Sequence, residues 1–375
     1  MLTWLVDKVR KGPFKVPRQL KIADRVINDD SPAYIIAEIG HNHAHEMWKA
    51  KAMVLSAKQV GVSAVKFQTR HPKEVYSVAE YNRVSDNPNW LDRVYGLHRE
   101  KLEFSRSEWF EIRDFCQDNN VPMISTPFDF KSVDLLAELE MPVYKIASGD
   151  ATNIPMIEYV AMLGKPLLVS TGGCTLDDVR RVYDAVMPIN QQLALLQCAC
   201  VYPAPSTAMN LRVIETYHRE FPECVIGLSS HHPNWAVNIA AYTLGARIFE
   251  NHFTNDRAWK GTDNAFSLDM GMMRAFVDGV HEVREALGTD EKFPTPIEVK
   301  PTIERRKKLV AARRIAKGKV IERDDLAMRC PGDGIPPFQL RRLIGERATV
   351  DIEAETDISA KNVSNAEGLA RAIGN

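Results

Sequence analysis

Lys66 and Lys145 each stand inside a short apolar run, AVKF and VYKIA, and Thr126, Ser148, Ser170 and Ser229 fall at or just past the ends of similar runs. Ammonium groups among hydroxyls and glycines are what a phosphate or carboxylate ligand needs. The charges neutralise the anion while small donors approach its oxygens closely. A single lysine of this kind is most simply solvated or salt-bridged; two of them with four hydroxyls on one face read as an anion site. His231 in GLSSHHP and His252 in ENHFTND come late in the chain. On neighbouring strand ends the two imidazoles could share a divalent ion, which would polarise a carbonyl through its open positions. The ion expected is manganese first, then magnesium, cobalt or iron. A lone histidine is usually structural, and His41 and His232 are less well placed. Glu38, at the end of the first run, could act as a base or hold a substrate hydroxyl.

These residues need a scaffold that brings run ends together. Short apolar runs predict strands at 34–39, 64–67, 123–125, 143–147, 167–170, 193–197, 225–228 and 247–250. Helix-like stretches at 48–59, 107–119, 176–187 and 235–244 lie between some of them. Eight alternating units predict an α/β fold, a closed parallel (β/α)₈ TIM barrel with its helices outside. An open doubly wound sheet is the other candidate, but no G-x-G-x-x-G follows the first strand. In a barrel, function collects at the C-terminal strand ends, and here all eight ends are polar.

Two segments interrupt the rhythm. Residues 69–104 are long, polar and aromatic, as a lid or binding loop would be; residues 288–302 are rich in proline and charge and read as a linker. The expected division is an N-terminal extension or barrel cap at 1–33, the barrel at 34–287, a linker at 288–304 and a small, loop-rich domain at 305–375. The 375 residues suit a barrel plus a minor domain. A net charge of −1 leaves no electrostatic footprint for nucleic acid or an anionic membrane. No secretory signal or membrane-spanning run is present, and six scattered cysteines suit reduced thiols, so a cytoplasmic location is expected.

Taken in order, EIGHNH, AVKFQT, STPFD, KIASGD, VSTGG, QCACVYPAP, GLSSHHP, ENHFTND and KGTDNAFS resemble the motif series of the sialic acid synthase family. The segment LVAARRIAKGKVIERDDLAMRCPGDGI resembles the antifreeze-like (SAF) domain that follows the barrel there. The resemblance spans about residues 20 to 365. It implies condensation of phosphoenolpyruvate with N-acetylmannosamine or a related aldose. It also implies that His231 and His252 hold the metal, and that Lys145, Thr126, Ser148 and Ser229 bind the phosphate, with Lys66 and Ser170 around the rest of phosphoenolpyruvate. Glu38, Asn42, Gln68, Tyr202 and Asp263 would face the sugar, with Glu38, Lys66 and Lys145 as the catalytic groups. A domain-swapped homodimer is implied as well, each SAF domain capping the partner's barrel.

The chain departs from the family pattern at several places. Cys330 stands where the family has an arginine that reaches the N-acyl group, with Arg329 one place earlier; Ala199-Cys200 replaces a polar pair near the phosphate; His45 replaces a glycine. Two other readings compete. A barrel metallohydrolase could use His41, His43, Lys145, His231, His252 and Asp263 as a binuclear site, although such a site needs no hydroxyl cluster. A non-catalytic scaffold would not need to keep both lysines and both late histidines.

Overall fold

Alternation along the strands decides which side chains enter the barrel. The computed structural model describes residues 17–365 and Leu369. A hairpin of β1 (Gln19–Ile22) and β2 (Arg25–Asn28) precedes eight strands: β3 (Tyr34–Gly40), β4 (Ala64–Thr69), β5 (Met123–Pro127), β6 (Tyr144–Ile146), β7 (Leu167–Ser170), β8 (Leu193–Cys198), β9 (Val225–Ser230) and β10 (Ile248–His252). All eight pair in parallel, and β10 closes on β3 with His252 opposite Glu38. The closed parallel barrel expected from the sequence is therefore the fold.

Successive strand residues point to opposite faces. Ile35, Ala37, Ile39, Val65 and Phe67 face outward into the large core beneath the helices. Tyr34, Ile36, Ala64, Ile124, Val143, Leu168, Ala194, Leu196, Val225 and Ile248 fill the interior, and Leu20, Ile22 and Ile27 of the hairpin join that cluster, sealing its N-terminal end. The polar positions follow the same parity. Glu38 lies two residues past Ile36, Lys66 two past Ala64, Thr126 two past Ile124, Lys145 two past Val143 and Ser170 two past Leu168. The interior is thus a packed apolar layer with a polar layer above it.

The outer layer comprises α1 (Met47–Gln59), α2 (Pro72–Val75), α3 (Val78–Tyr81), α4 (Tyr95–Glu100), α5 (Arg106–Asp118), α6 (Phe130–Glu138), α7 (Ile154–Ala161), α8 (Leu176–Val186), α9 (Val213–Glu220), α10 (Ala236–Thr243) and α11 (Met270–Leu287). Ser105 and Thr175 start α5 and α8 with reciprocal capping boxes. The insertion after β4 is not structureless: α2, α3 and α4 occupy it, and Tyr95 packs on Tyr76 and Trp90 while Trp90 stacks on His98. His45 has φ +65°, the left-handed conformation that favours glycine.

A second compact unit begins at Thr289. The stretch read as a linker contains a helix, α12 (Pro296–Arg305), which corrects that expectation. Thr295 and Glu298 form a capping box, and Pro296 takes the first helical position, where its missing N–H costs nothing. Beyond it, β11 (Lys308–Ala311) pairs antiparallel with β12 (Leu326–Arg329), followed by α13 (Leu340–Leu343). A separate core of Leu309, Ile315, Ile321, Leu343, Ile352 and Ile358, among others, holds this unit together. The first sixteen residues of the expected extension lie outside the described residues.

Candidate active site

The polar upper layer lines a cavity of about 470 Å³ at the C-terminal strand ends. At its base two ammonium groups share one carboxylate. Glu250 Oε1 lies 3.5 Å from Lys66 Nζ, and Oε2 lies 3.5 Å from Lys145 Nζ. Lys66 also contacts Glu38 Oε2 at 2.7 Å and donates to Thr126 Oγ1 at 2.9 Å. Lys145 donates to the Ile146 carbonyl at 3.1 Å.

The two lysines differ electrostatically. Burial works against charge on Lys66, but Glu250 and Glu38 outweigh it and raise its pKa. Burial dominates at Lys145, and with Lys66 nearby its pKa is lowered despite Glu250. Burial would likewise push Glu250 upward, yet the two lysines hold it at about 2.

Small donors surround these charges. The Gly172 N–H donates to Ser148 Oγ at 2.9 Å, and a Cβ at Gly172 would stand 2.8 Å from that oxygen, so only glycine allows the approach. Ser229 Oγ donates to Glu250 Oε1 at 3.4 Å. Ser170 Oγ, Glu250 Oε2 and His252 Nδ1 are buried without a hydrogen-bond partner among the described residues. Orphaned polar atoms in one cavity are what a polar ligand would satisfy.

Glu38 Oε1 accepts from Gln68 Nε2 at 2.7 Å. The strand register shifts between Glu38 and Gly40, where φ is +52°, and a Cβ on Gly40 would lie 3.0 Å from Glu38 Oε1.

His231 and His252 face one another with ring centroids 5.4 Å apart. His231 Nδ1 lies 2.9 Å from the Ala199 carbonyl, an arrangement that assigns its proton to Nδ1 and leaves Nε2 with a lone pair. Burial, reinforced by His252, lowers the His231 pKa to about 4, which keeps the ring neutral. His252 Nδ1 is 3.7 Å from Asp263 Oδ2. Burial works to raise the pKa of Asp263, but His252, a hydrogen bond with Thr262, His41 and Arg99 together outweigh it and lower the value. A neutral, oriented His231 ring facing a His252 ring with one orphaned nitrogen fits a divalent ion. Among the described residues no cluster of three or more His, Cys, Asp and Glu side chains is arranged to hold one. Tyr202 packs its ring 3.9 Å from His231.

Twelve of the thirteen site residues expected from the sequence line this cavity: Glu38, Lys66, Gln68, Thr126, Lys145, Ser148, Ser170, Tyr202, Ser229, His231, His252 and Asp263. Asn42 does not. Its amide is buried and donates to the Phe253 carbonyl and to Ser267 Oγ, both at 2.9 Å, so it ties β3 to the chain after β10. The binuclear arrangement fails for a similar reason. His41 Nε2 meets Glu103 Oε1 at 3.1 Å, and His43 stacks on Phe104 at 4.3 Å; neither lines the cavity.

Glu250, Arg70, Tyr76 and Arg99 also line the cavity. Strand parity could have found Glu250, two residues past Ile248. Tyr76 and Arg99 sit in the insertion, where no periodicity marks them.

Residues 53–292 match the NeuB family, and residues 306–364 match the SAF domain. The N-acetylneuraminate-9-phosphate synthase of Homo sapiens is 32% identical over 93% of this chain and 98% of its own. The N,N'-diacetyllegionaminic acid synthase of Legionella pneumophila is 32% identical over 90% of this chain and 98% of its own. A crystal structure of N-acetylneuraminic acid (sialic acid) synthetase from Leptospira borgpetersenii superposes with a TM-score of 0.66 at 26% identity, covering 77% of this chain and 99% of that one. Likeness of that extent, over a barrel and the unit after it, makes the chain a member of the NeuB family with a C-terminal SAF domain.

Proposed function

We propose that this chain condenses phosphoenolpyruvate with an open-chain aldose, giving a 3-deoxy-2-ulosonic acid and phosphate. The observation that carries this reading is the pair of buried ammonium groups, Lys66 and Lys145, sharing Glu250 beside unpartnered Ser170 Oγ. A trianion entering there would satisfy charges and donors that the protein leaves under-paired.

In this reading Lys145, Ser148, Thr126 and Ser229 hold the phosphate, and Lys66 with Ser170 fixes the carboxylate end. A new bond forms between C3 of phosphoenolpyruvate and the aldehyde carbon, whose oxygen takes up a proton. Water adds to C2, and the tetrahedral carbon then expels phosphate by breaking its C–O bond. Glu38, positioned by Gln68 and Lys66, orients an aldose hydroxyl or accepts the proton lost by the attacking water. Tyr202 and Asp263 bound the aldose on the histidine side. A divalent ion held by His231 and His252, manganese in the first instance, would supply Lewis-acid polarisation of the aldehyde.

The relatives divide over the product: the human one is a synthase of a 9-phosphate, whereas the Legionella one is named for no phosphate. The same reading takes the barrel as 34–287, the SAF domain as 305–375 and the working form as a homodimer, which sedimentation at several concentrations would test. Incubation with phosphoenolpyruvate, Mn²⁺ and a panel of aldoses should release phosphate only when an acceptor aldose is present. Release independent of the aldose, or none with any aldose, would refute the assignment.

A further inference from the structure

The mouth of the cavity carries cations that the reaction as described leaves unused. Lys66, Gln68 and Arg70 share one strand parity, so Arg70 lies about 13 Å of chain rise beyond Lys66, toward the opening. Its guanidinium rests 4.0 Å over the Phe128 ring, donates to Gln68 Oε1, and meets Glu103 Oε1 at 3.3 Å and Tyr76 Oη at 3.4 Å. Arg99 comes from α4 and donates through Nε and Nη2 to Tyr95 Oη, each at 3.1 Å. Among the described residues Arg99 makes no salt bridge. Its charge is left without a carboxylate at contact distance, although Asp263 stands within electrostatic reach. Arg70, Arg99 and Tyr76 all line the same cavity as the lysines.

At the base, Glu38 and Glu250 offset the two lysines; at the mouth, Glu103 offsets Arg70 but Arg99 has no such partner. Two guanidiniums and a phenol on one wall offer more donors than a neutral sugar hydroxyl would use. Arginine's planar fork matches the oxygens of a phosphate.

We propose that Arg99 and Arg70, with Tyr76, form a second anion subsite that takes a phosphate monoester on the aldose, at the end away from its aldehyde. This rests on the condensation proposed above and goes further by naming the aldose as a sugar phosphate. Phosphoenolpyruvate occupies the lysine end, and the aldehyde lies between it and the histidines. The far end of the aldose is then the part that reaches the mouth.

The test compares mannose with mannose 6-phosphate and N-acetylmannosamine with its 6-phosphate, at saturating phosphoenolpyruvate, in the wild type, Arg99→Gln and Arg99→Lys. The wild type should favour the phosphorylated member of a pair by about tenfold or more in kcat/KM. Arg99→Gln should erase most of that preference through KM, leave the unphosphorylated aldose and the KM for phosphoenolpyruvate unchanged, and be partly rescued by Arg99→Lys. Equal or better use of the unphosphorylated sugar would overturn the proposal, as would preference for an aldose ending in a carboxylate. A change confined to the KM for phosphoenolpyruvate would also overturn it. If no aldose turns over, the condensation itself fails; calorimetric titration with the two sugar phosphates then decides the subsite, which requires binding that Arg99→Gln weakens.

Discussion

Lys145 Nζ and Glu250 Oε2 face each other at 3.5 Å, an ion pair in which the carboxylate oxygen makes no hydrogen bond. The ammonium is buried, neutralised at a distance, and able to turn toward an incoming anion. Lys145→Ala should weaken phosphoenolpyruvate binding by about 2–4 kcal/mol while the barrel stays folded. Calorimetric titration checks this, and an unchanged affinity would remove Lys145 from the site.

Glu250 also keeps two buried cations together. Glu250→Gln leaves Lys145 without its carboxylate and Lys66 with Glu38 alone, and should cost on the order of 3 kcal/mol of stability. Phosphoenolpyruvate would replace the missing negative charge. Thermal melts should therefore show a larger ligand-induced rise in Tm for the variant than for the wild type.

Glu103 introduces a pH dependence near neutrality. Its carboxyl is buried, and burial raises its pKa from 4.5 to about 7, against the opposing pull of Arg70. As pH falls through 7 the group gains a proton and the ion pair with Arg70 is lost, so the KM for the aldose should climb on the acid side. Glu103→Gln should flatten that dependence at the high-KM level, with kcat little changed. Stability runs the other way: a raised folded pKa favours the native state below the unfolded value near 4.5, and that contribution disappears as pH rises through 7. Urea titrations from pH 5 to 8 should show the variant losing less stability than the wild type.

Two imidazoles are a small ligand set, so affinity for a divalent ion should be modest. Dialysis against EDTA should abolish turnover without changing the far-ultraviolet circular dichroism, and Mn²⁺ should restore it. Full activity in excess chelator would contradict the assignment of His231 and His252.

The resemblance to the family pattern implies that position 330 bears on substrate choice. The Cys330 Sγ is exposed and lies 3.4 Å from the Arg305 carbonyl, while Arg329 is committed to Glu355 through Nε at 2.9 Å and Nη2 at 3.0 Å. Arg329 is therefore not available to replace the arginine that the family pattern has at position 330. The expected outcome is an enzyme that does not depend on a 2-acetamido group. Cys330→Arg should shift the specificity constant toward N-acetylated aldoses by roughly tenfold or more. A wild-type preference for the N-acetylated aldose over every alternative would contradict this.

The strand runs and their polar ends were legible in the sequence because alternation is local. Once Ile36 or Val143 is assigned to the interior, Glu38 and Lys145 follow two residues later by the pleat alone. The polar ends of the runs placed the lysines, the hydroxyls and the late histidines without knowledge of any contact, and the pleat accounts for all of them but Ser148, which lies three residues past Lys145. Parity did not reveal that Asn42 is a tether, since its partners Phe253 and Ser267 are more than 200 residues away in the chain. Nor did it reveal the helix inside the supposed linker, where proline content outweighed the Thr295–Glu298 cap. The ion-pair chain from Glu38 through Lys66 to Glu250 and Lys145 joins β3, β4, β10 and β6, which meet only when the barrel closes. Arg99 lies in an insertion with no strand period to mark it, so its place at the mouth depends on the packing of Tyr76, Tyr95 and Trp90, which only the tertiary structure decides.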